Sequence, residues 1–271
     1  MKTTTKLLTN PSGNSKTSKS EKYNYYTPIL HLAPHKLSGY NVCPKASNGC
    51  IKACLNKAGR GGIIKKGENT NAIQTARINR TKYYFQDRKS FLNQLAKEIR
   101  LAENRAKNKG LKLAVRLNGT SDIKWEKDMI QVSYNDFIKY YQDNKLLKEY
   151  FNKQYLNGVN YAYGSIFNLF PGVQFYDYTK HPNRKNIPAN YNLTFSKAEN
   201  NDEDVKQALK NGLNIAVVFG KYLPKTFLGL PVIDGDKNDL RFLDPANVIV
   251  GLLAKGRDGK NDETGFVVYQ A

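Results

Sequence analysis

Short apolar runs alternate with longer amphipathic stretches through most of the chain. The apolar runs lie at 27–33, 111–117, 173–178, 191–195, 215–219, 232–233 and 248–253. Each is short enough to form a buried strand, and polar residues follow it directly. This alternation predicts an α/β protein with a parallel sheet, in the form of a complete or partial (β/α) barrel. An open doubly wound sheet is the main rival.

The longest helical pattern covers residues 71–109, where apolar residues recur at three and four positions. A break is expected near Asp87, and Gly110 is placed to end the helix. Before Lys22 the chain is rich in Thr, Ser, Asn and Lys. We therefore predict a disordered basic tail over residues 1–22 and a single domain over residues 23–271.

The charge of the chain is strongly positive. Its 271 residues include 43 Lys or Arg and 23 Asp or Glu, which gives a formal net charge of +20. Such an excess indicates a polyanionic partner, either a nucleic acid or a nucleotide. A solvated surface on a Lys-rich and Asn-rich chain is the alternative. No apolar run is long enough to span a membrane, so no membrane partner is expected.

All three cysteines, Cys43, Cys50 and Cys54, lie within twelve positions. A helix through Cys50 and Cys54 would place both sulfurs on one face, with Cys43 approaching from the preceding loop. Three thiolates can hold a [4Fe-4S] cluster with one iron left open, and we predict such a cluster here. The alternatives are a zinc ion completed by His31 or His35, and unliganded or redox-active thiols. An odd number of cysteines also indicates a reducing, cytoplasmic compartment.

Polar side chains follow three of the predicted strands, at the end where a (β/α) fold gathers its functional groups. The candidates are Asn118, Ser121 and Asp122 after the strand at 111–117, Asp177 and Lys180 in and after the strand at 173–178, and Ser196 and Glu199 after the strand at 191–195. We predict catalytic roles for Asp122, Asp177 and Lys180, of which Lys180 would hold a carboxylate or phosphate. The other four are predicted to bind a cofactor. The alternatives are a satisfied turn in which Asp122 caps the next helix, and a solvated Lys180 without a ligand.

Three motifs follow one another along the chain. They are Cys43-Pro44-Lys45-Ala46-Ser47 through Cys50 and Cys54-Leu55, then Val115-Arg116-Leu117-Asn118 through Ser121-Asp122, then Phe175-Tyr176-Asp177-Tyr178-Thr179-Lys180. In these motifs the chain resembles a phage family, the gene product 88 proteins. It departs from that pattern at Asn118, where a histidine is expected, and at Leu55, where a tyrosine is expected. The resemblance implies a phage-encoded protein that acts in the host cytoplasm.

A three-cysteine loop after the first strand of a parallel α/β barrel also resembles the radical S-adenosylmethionine enzymes. That resemblance implies a [4Fe-4S] cluster whose open iron chelates S-adenosylmethionine, with the radical chemistry directed at a nucleic acid or nucleotide. The spacing here is six then three residues between cysteines, not the commoner three then two. Two alternatives remain, a zinc-stapled nucleic-acid-binding module and a transglycosylase-like DNA-modifying enzyme with Asp177 as nucleophile.

Overall fold

The computed structural model describes residues 6–11, 19–154 and 157–269. Its central element is a mostly parallel sheet of nine strands, as the alternating pattern predicts. The strands of the chain are β1 (Leu8–Thr9), β2 (Tyr25–Tyr26), β3 (Ile29–Leu30), β4 (Lys112–Val115), β5 (Met129–Ser133), β6 (Tyr161–Ser165), β7 (Gln174–Thr179), β8 (Tyr191–Ser196), β9 (Ile215–Phe219), β10 (Thr226–Phe227), β11 (Leu230–Asp234), β12 (Ile249–Leu253) and β13 (Val267–Val268).

The helices lie between these strands. They are α1 (Asn48–Lys52), α2 (Ala72–Gln86), α3 (Arg88–Asn108), α4 (Tyr134–Asp136), α5 (Lys145–Gln154), α6 (Ile166–Leu169), α7 (Asp202–Lys210) and α8 (Gly256–Lys260). Asp87 separates α2 from α3, and its side chain accepts the N–H of Ser90 at 3.1 Å. The predicted break in the long helical pattern is therefore confirmed, because this side-chain bond starts a new helix.

The nine strands lie in the order β10-β11-β12-β9-β8-β7-β4-β2, and β13 pairs with β9. Every pairing in this sheet is parallel except that of β10 with β11. Closing a barrel requires the two edge strands to pair. Here the edges are the two-residue strands β2 and β10, which lie at opposite ends of the order. Within the described residues the sheet is open, so the structure contains no closed barrel of the kind predicted.

The sheet divides along β9. Strand β12 pairs with β9 along its whole length on one side. On the other side, β8 pairs with the first two residues of β9 and β13 pairs with the last two. Strand β8 therefore leaves the sheet after Ser196, and its carboxyl end, which leads to Glu199, lies beside β13. This division opens the carboxyl edge of the sheet at the point where the candidate site is built.

Part of the predicted disordered tail is folded onto the domain. Leu7 and Leu8 are buried, and their backbone N–H groups donate to the Glu98 carboxylate of α3 at 2.8 to 3.0 Å. Strand β1 pairs with β3, and residues 19–23 form a 3₁₀ turn. Two adjacent leucines supply enough apolar surface to anchor a short segment. The rest of the predicted tail, residues 1–5 and 12–18, lies outside the described residues.

The hydrophobic core lies largely between α3 and the sheet. The buried face of α3 presents Phe91, Leu95, Ile99 and Ala102, at the spacing of three and four residues that a helix requires. These side chains belong to one large apolar cluster with residues of β4 and β7, and a smaller cluster lies around β9 and α7. None of the described helices combines the length and the apolarity needed to cross a membrane.

Candidate functional site

The three cysteines lie on one segment, residues 43–62, which we call the cysteine segment. Helix α1 begins after Ser47, whose Oγ accepts the N–H of Cys50 at 3.2 Å. It ends at Lys52, so Cys54 lies beyond the helix in an extended conformation. The prediction of one helix through Cys50 and Cys54 is therefore wrong. After Cys54 the chain forms a 3₁₀ turn, in which the Lys57 N–H donates to the carbonyl of Cys54.

Glu199 holds the start of α1 on the carboxyl end of β8. Its Oε1 accepts the N–H of Gly49 at 2.7 Å, and its Oε2 accepts the Oγ–H of Ser47 at 2.6 Å. Burial alone would raise the pKa of Glu199, but these hydrogen bonds outweigh it and lower the pKa below its ordinary value. The carboxylate therefore stays charged. The sequence predicts that Glu199 binds a cofactor. In the structure its carboxylate holds the cysteine segment in place through Ser47 and Gly49.

Gly49 makes this close docking sterically feasible. A Cβ atom at this position would lie 2.1 Å from Thr264 Oγ1 and 2.4 Å from Phe266 Cβ. Both neighbours belong to the stretch that leads into β13. Helix α1 therefore packs directly against the chain where β8 and β13 separate. At position 49 only glycine fits, because it has no side chain.

Asp122 ties the other end of the cysteine segment to β7. Its backbone N–H donates to the carbonyl of Val42 at 2.8 Å, and its Oδ2 accepts the N–H of Lys180 at 2.8 Å. The second carboxylate oxygen, Oδ1, is buried without a hydrogen-bond partner. Nearby, Cys43 Sγ lies 3.8 Å from the carbonyl oxygen of Thr120. Asp122 therefore joins Cys43 to the tip of β7 and keeps one oxygen available.

The three thiols, none in a disulfide, interact electrostatically. Burial raises the pKa of Cys43 to about 12, and the neighbouring charges of Cys54 and Cys50 contribute to the rise. Burial also raises the pKa of Cys54, with a further contribution from Cys50. The backbone N–H groups of His35 and Asn56 donate to the sulfurs of Cys43 and Cys54. Such bonds favour the thiolate, and hydrogen bonds to the sulfurs are typical of iron–sulfur sites.

The arrangement of the sulfurs bears on what they can bind. Across the described residues, no group of three or more His, Cys, Asp or Glu side chains is arranged to hold a metal ion. A cubane cluster separates its cysteine sulfurs more widely than a single ion does, because each sulfur binds a different iron. The thiol donors and their N–H···S bonds are compatible with either a cluster or a zinc ion, so the [4Fe-4S] cluster stays a prediction.

His31, a predicted zinc ligand in the alternative reading, lies in a different environment. Its ring packs against Gly119, where a Cβ would lie 2.4 Å from Nδ1. Burial and the charges of Arg77, Arg116 and Arg80 lower the pKa of His31 well below its ordinary value. The ring is therefore neutral and faces a cluster of guanidinium groups.

Lys180 places a desolvated ammonium group at the tip of β7. The residue is only 8 % exposed. Its Nζ donates to Ser196 Oγ at 2.7 Å, lies 3.5 Å from the Ser196 carbonyl oxygen, and lies 5.5 Å from the ring centroid of Phe266. Lys180 forms no ion pair with any acidic residue in the part of the chain that the structure describes. Its binding role stays a prediction, and an unpaired buried cation is suited to an anionic ligand.

Arg77 and Arg80, on one face of α2, form a second group of cations that make no ion pair among the described residues, although the charge of Glu98 acts on Arg80. Arg77 Nη1 donates to Asn56 Oδ1 at 2.6 Å, and Arg80 Nε donates to the carbonyl of Lys6 at 2.9 Å. Burial lowers the pKa of both guanidinium groups. The charge of Arg77 also acts on Cys54. Sequence reasoning missed this pair, although its spacing of three residues in the helix after the cysteines was a usable signal.

Asn118 and Ser121 lie in a closed hydrogen-bond network beneath the strand tips. The side-chain oxygen of Asn118 accepts bonds from the Ser121 hydroxyl at 2.8 Å, the Ile123 N–H at 3.0 Å and the Trp125 indole N–H at 3.0 Å. The side-chain nitrogen donates to the Ile123 carbonyl and to the Asp177 carboxylate. The geometry thus gives Asn118 and Ser121 a structural role, close to the satisfied turn that was the alternative.

Asp177 is fully buried in the same network. Its carboxylate accepts the Asn118 backbone N–H and the Tyr191 hydroxyl, each at 2.7 Å. Arg116 Nε lies 4.0 Å away, and Arg116 Nη1 lies 3.0 Å from Asp239. Burial raises the pKa of Asp177 to about 7 despite the nearby guanidinium. We call Arg116, Asn118, Asp177, Tyr191 and Asp239 the paired network.

A protein-family model described as Gene product 88 matches residues 2–270 of the chain. The chain belongs to the Gene product 88 family. This is a phage family, and the three motifs described above fall within the match. No curated protein and no solved structure matches the chain. The resemblance to radical S-adenosylmethionine enzymes finds no support in these comparisons.

The three motifs of this Gene product 88 protein meet at the carboxyl edge of the sheet. The bond between Asp122 and Val42 joins the second motif to the start of the cysteine segment. Bonds from Asn118 to Asp177 and from Lys180 to Asp122 join the second motif to the third. Residues far apart in the chain are thus assembled at one place, which is where ligands bind in open α/β sheets.

Proposed function

We propose that this Gene product 88 protein holds a [4Fe-4S] cluster on Cys43, Cys50 and Cys54 and acts on a nucleic acid or nucleotide. The observation that carries the proposal is that the chain's only three cysteines are docked together, by Glu199 and Asp122, at the carboxyl edge of a parallel sheet. Cysteine thiolates are the protein ligands of such clusters.

The protein's own residues would hold and orient this cluster. The backbone N–H groups of His35 and Asn56 stabilise thiolate sulfur, and the Arg77 guanidinium offsets negative charge at Cys54. Glu199 fixes the start of α1, which carries Cys50. When bound, a cluster with three cysteine ligands supplies one iron with an open coordination position. S-adenosylmethionine is the cofactor that radical enzymes bind at such an iron, and it is part of this proposal.

The surroundings of the thiols support an anionic substrate. Lys180 is buried, Arg77 is partly buried, and neither has an acidic partner among the described residues. A buried charge without a partner is costly, so a phosphate or carboxylate bound to either group would relieve that cost. The net charge of +20 points to the same class of ligand.

Anaerobic purification with iron and sulfide analysis tests the cluster. We expect brown protein with a broad absorption at about 400 nm and an electron paramagnetic resonance signal after reduction. Cys50→Ala should lose the iron, whereas Lys52→Ala, an exposed position on the same helix, should keep it. Circular dichroism confirms that both variants fold, and Cys43→Ser serves if Cys50→Ala does not.

Two results would contradict the cluster. One is unchanged iron content in folded Cys50→Ala. The other is colourless wild-type protein with one tightly held zinc ion, which would favour the zinc-stapled nucleic-acid-binding protein instead. The transglycosylase-like alternative has less support, because its nucleophile Asp177 is 0 % exposed and already accepts two short hydrogen bonds.

A further inference from the structure

Positive charge is concentrated around the thiols. Between Lys36 and Gln86 the chain holds ten Lys or Arg and a single acidic residue, Glu68. Residues 87–271 hold 28 Lys or Arg against 21 acidic residues. The region that carries the cysteines is therefore far more basic, for its length, than the rest of the domain.

The cations of this region are available to a partner. Seven of them are exposed and form no ion pair among the described residues, namely Lys36, Lys45, Lys52, Arg60, Lys65, Lys66 and Lys82. Lys57 differs, since its Nζ lies 3.9 Å from Asp258. Lys45 and Lys52 are each two residues from a cysteine, so their Cα atoms lie within about 7 Å of a cysteine Cα. A polyanion held by these side chains would bind next to the segment that carries the thiols.

Large apolar side chains are exposed among the same cations. Ile63 is 70 % exposed, Leu55 is 52 % exposed and Ile64 is 40 % exposed. A duplex presents phosphates and stacks its bases inside, whereas a single strand also presents the apolar faces of its bases. A surface that combines free cations with exposed apolar side chains is therefore better matched to a single strand.

We infer that a single-stranded nucleic acid binds across residues 36–66, which we call the basic face. Its phosphates contact Lys45, Lys52, Arg60, Lys65 and Lys66, and its unpaired bases contact Leu55, Ile63 and Ile64. This inference deepens the proposed function, on which it rests for the claim that the strand is the substrate of the thiol site. The binding itself requires no iron.

Fluorescence anisotropy with the full chain tests the basic face. The probes are a labelled single-stranded DNA of mixed sequence, the same sequence as RNA, and the DNA duplex. The triple variant Lys45→Glu/Lys52→Glu/Lys65→Glu should bind the single strands about 100-fold more weakly than wild type. The matched control Lys148→Glu/Lys153→Glu/Lys225→Glu changes the net charge equally at exposed positions elsewhere and should stay within about threefold of wild type.

The salt dependence provides a second measurement. For single strands, each lost phosphate contact lowers the slope of log K against log salt concentration by roughly 0.7, so Gln at the same three lysines should lower it by about 2. Equal weakening in both triple variants, tighter binding of the duplex, or binding to anionic phospholipid vesicles in place of oligonucleotides would each overturn the inference.

The outcome separates this inference from the proposed function. The lysine variants keep all three cysteines, so their iron content should equal that of wild type. Wild-type protein that holds iron but binds no oligonucleotide overturns the basic face alone. Protein that binds single strands through these lysines but holds no iron overturns the cluster alone.

Discussion

Two neighbouring regions at the carboxyl edge of the sheet differ in whether their charged side chains have partners of opposite charge. In the paired network, the Arg116 guanidinium lies 3.0 Å from Asp239 and 4.7 Å from the Tyr178 ring centroid. Around the cysteine segment, Lys180 and Arg77 are comparably removed from solvent yet lack acidic partners in the described structure. The paired network pairs its buried charges within the chain, whereas the two cations near the cysteine segment have no acidic partner among the described residues.

The difference distinguishes residues that stabilise the fold from residues kept for a ligand. Burying a charge next to its partner roughly offsets the desolvation cost, whereas burying it alone does not. Uncompensated charges are enriched at functional sites, although structural networks also contain them. Three of the predicted site residues, Asn118, Ser121 and Asp177, have hydrogen-bond partners in the paired network. Ligand binding by Lys180 and the thiols stays a prediction.

The largest expected effect comes from breaking the paired network. Arg116→Met leaves Asp177 and Asp239 buried without their guanidinium partner, so the free energy of unfolding should fall by about 3–5 kcal/mol. Urea unfolding followed by circular dichroism measures it. Arg257 is exposed, and Arg257→Met should change the value by no more than about 0.5 kcal/mol. A similar small change in Arg116→Met would show that the network does not stabilise the fold.

The paired network should also make stability depend on pH. Burial raises the pKa of Asp177 to about 7, above its unfolded value, so the folded protein binds the proton more tightly. The contribution of Asp177 to stability is then full at low pH and is lost as the pH rises towards 7. From pH 4.5 to 7.5, Asp177→Asn should gain roughly 3 kcal/mol in unfolding free energy relative to wild type. A difference between the two proteins that is constant with pH would contradict the raised pKa.

Much of the fold follows from short-range patterns in the sequence. The run at 215–219 is strand β9, and the break at Asp87 falls where a side chain able to cap a helix interrupts an apolar periodicity. Barrel closure was not predictable in this way, because it depends on which strands form the edges. The antiparallel hairpin of β5 and β6 was also missed, since the buried positions of β6 include the small residues Ala162 and Gly164 while Tyr161 and Tyr163 are exposed, so no apolar run marks this strand.

The sequence was sufficient to predict which residue types form the candidate site. It was not sufficient to predict which of these side chains are already hydrogen-bonded within the protein. The convergence of the cysteine segment on the strand tips follows from the parallel order of the strands. Whether a polar side chain is free or engaged depends on partners distant in sequence. Asp177 meets Asn118, which is 59 residues away, and Glu199 meets Gly49, which is 150 residues away. No local pattern carries that information.

A smaller effect, of opposite sign, is expected near the thiols. Lys180→Met removes an ammonium group that has no acidic partner among the described residues, so the metal-free protein should become more stable by about 1–2 kcal/mol. The Ser196 carbonyl keeps the hydrogen bond from Asn201 at 3.1 Å, whereas the Ser196 hydroxyl, which is not fully buried, loses its bond from Lys180 and turns to water. Urea unfolding of Lys180→Met and Arg116→Met, measured in parallel, compares the two changes in unfolding free energy. If Lys180→Met were destabilised as strongly as Arg116→Met, the distinction between the two regions would fail.

The smallest effect tests the contact that docks the cysteine segment. Glu199→Gln keeps the size of the side chain but removes its charge, so the contacts with Ser47 and Gly49 become hydrogen bonds between neutral groups, which are weaker than charge-assisted ones. We expect a decrease of about 1 kcal/mol in unfolding free energy, with faster amide hydrogen exchange confined to the cysteine segment. Glu203→Gln is the matched control, because its ion pair with Lys206 is exposed and an exposed pair contributes little to stability. Faster exchange throughout the sheet in Glu199→Gln would mean that Glu199 supports the whole domain, and that the cysteine segment is not a separately docked element.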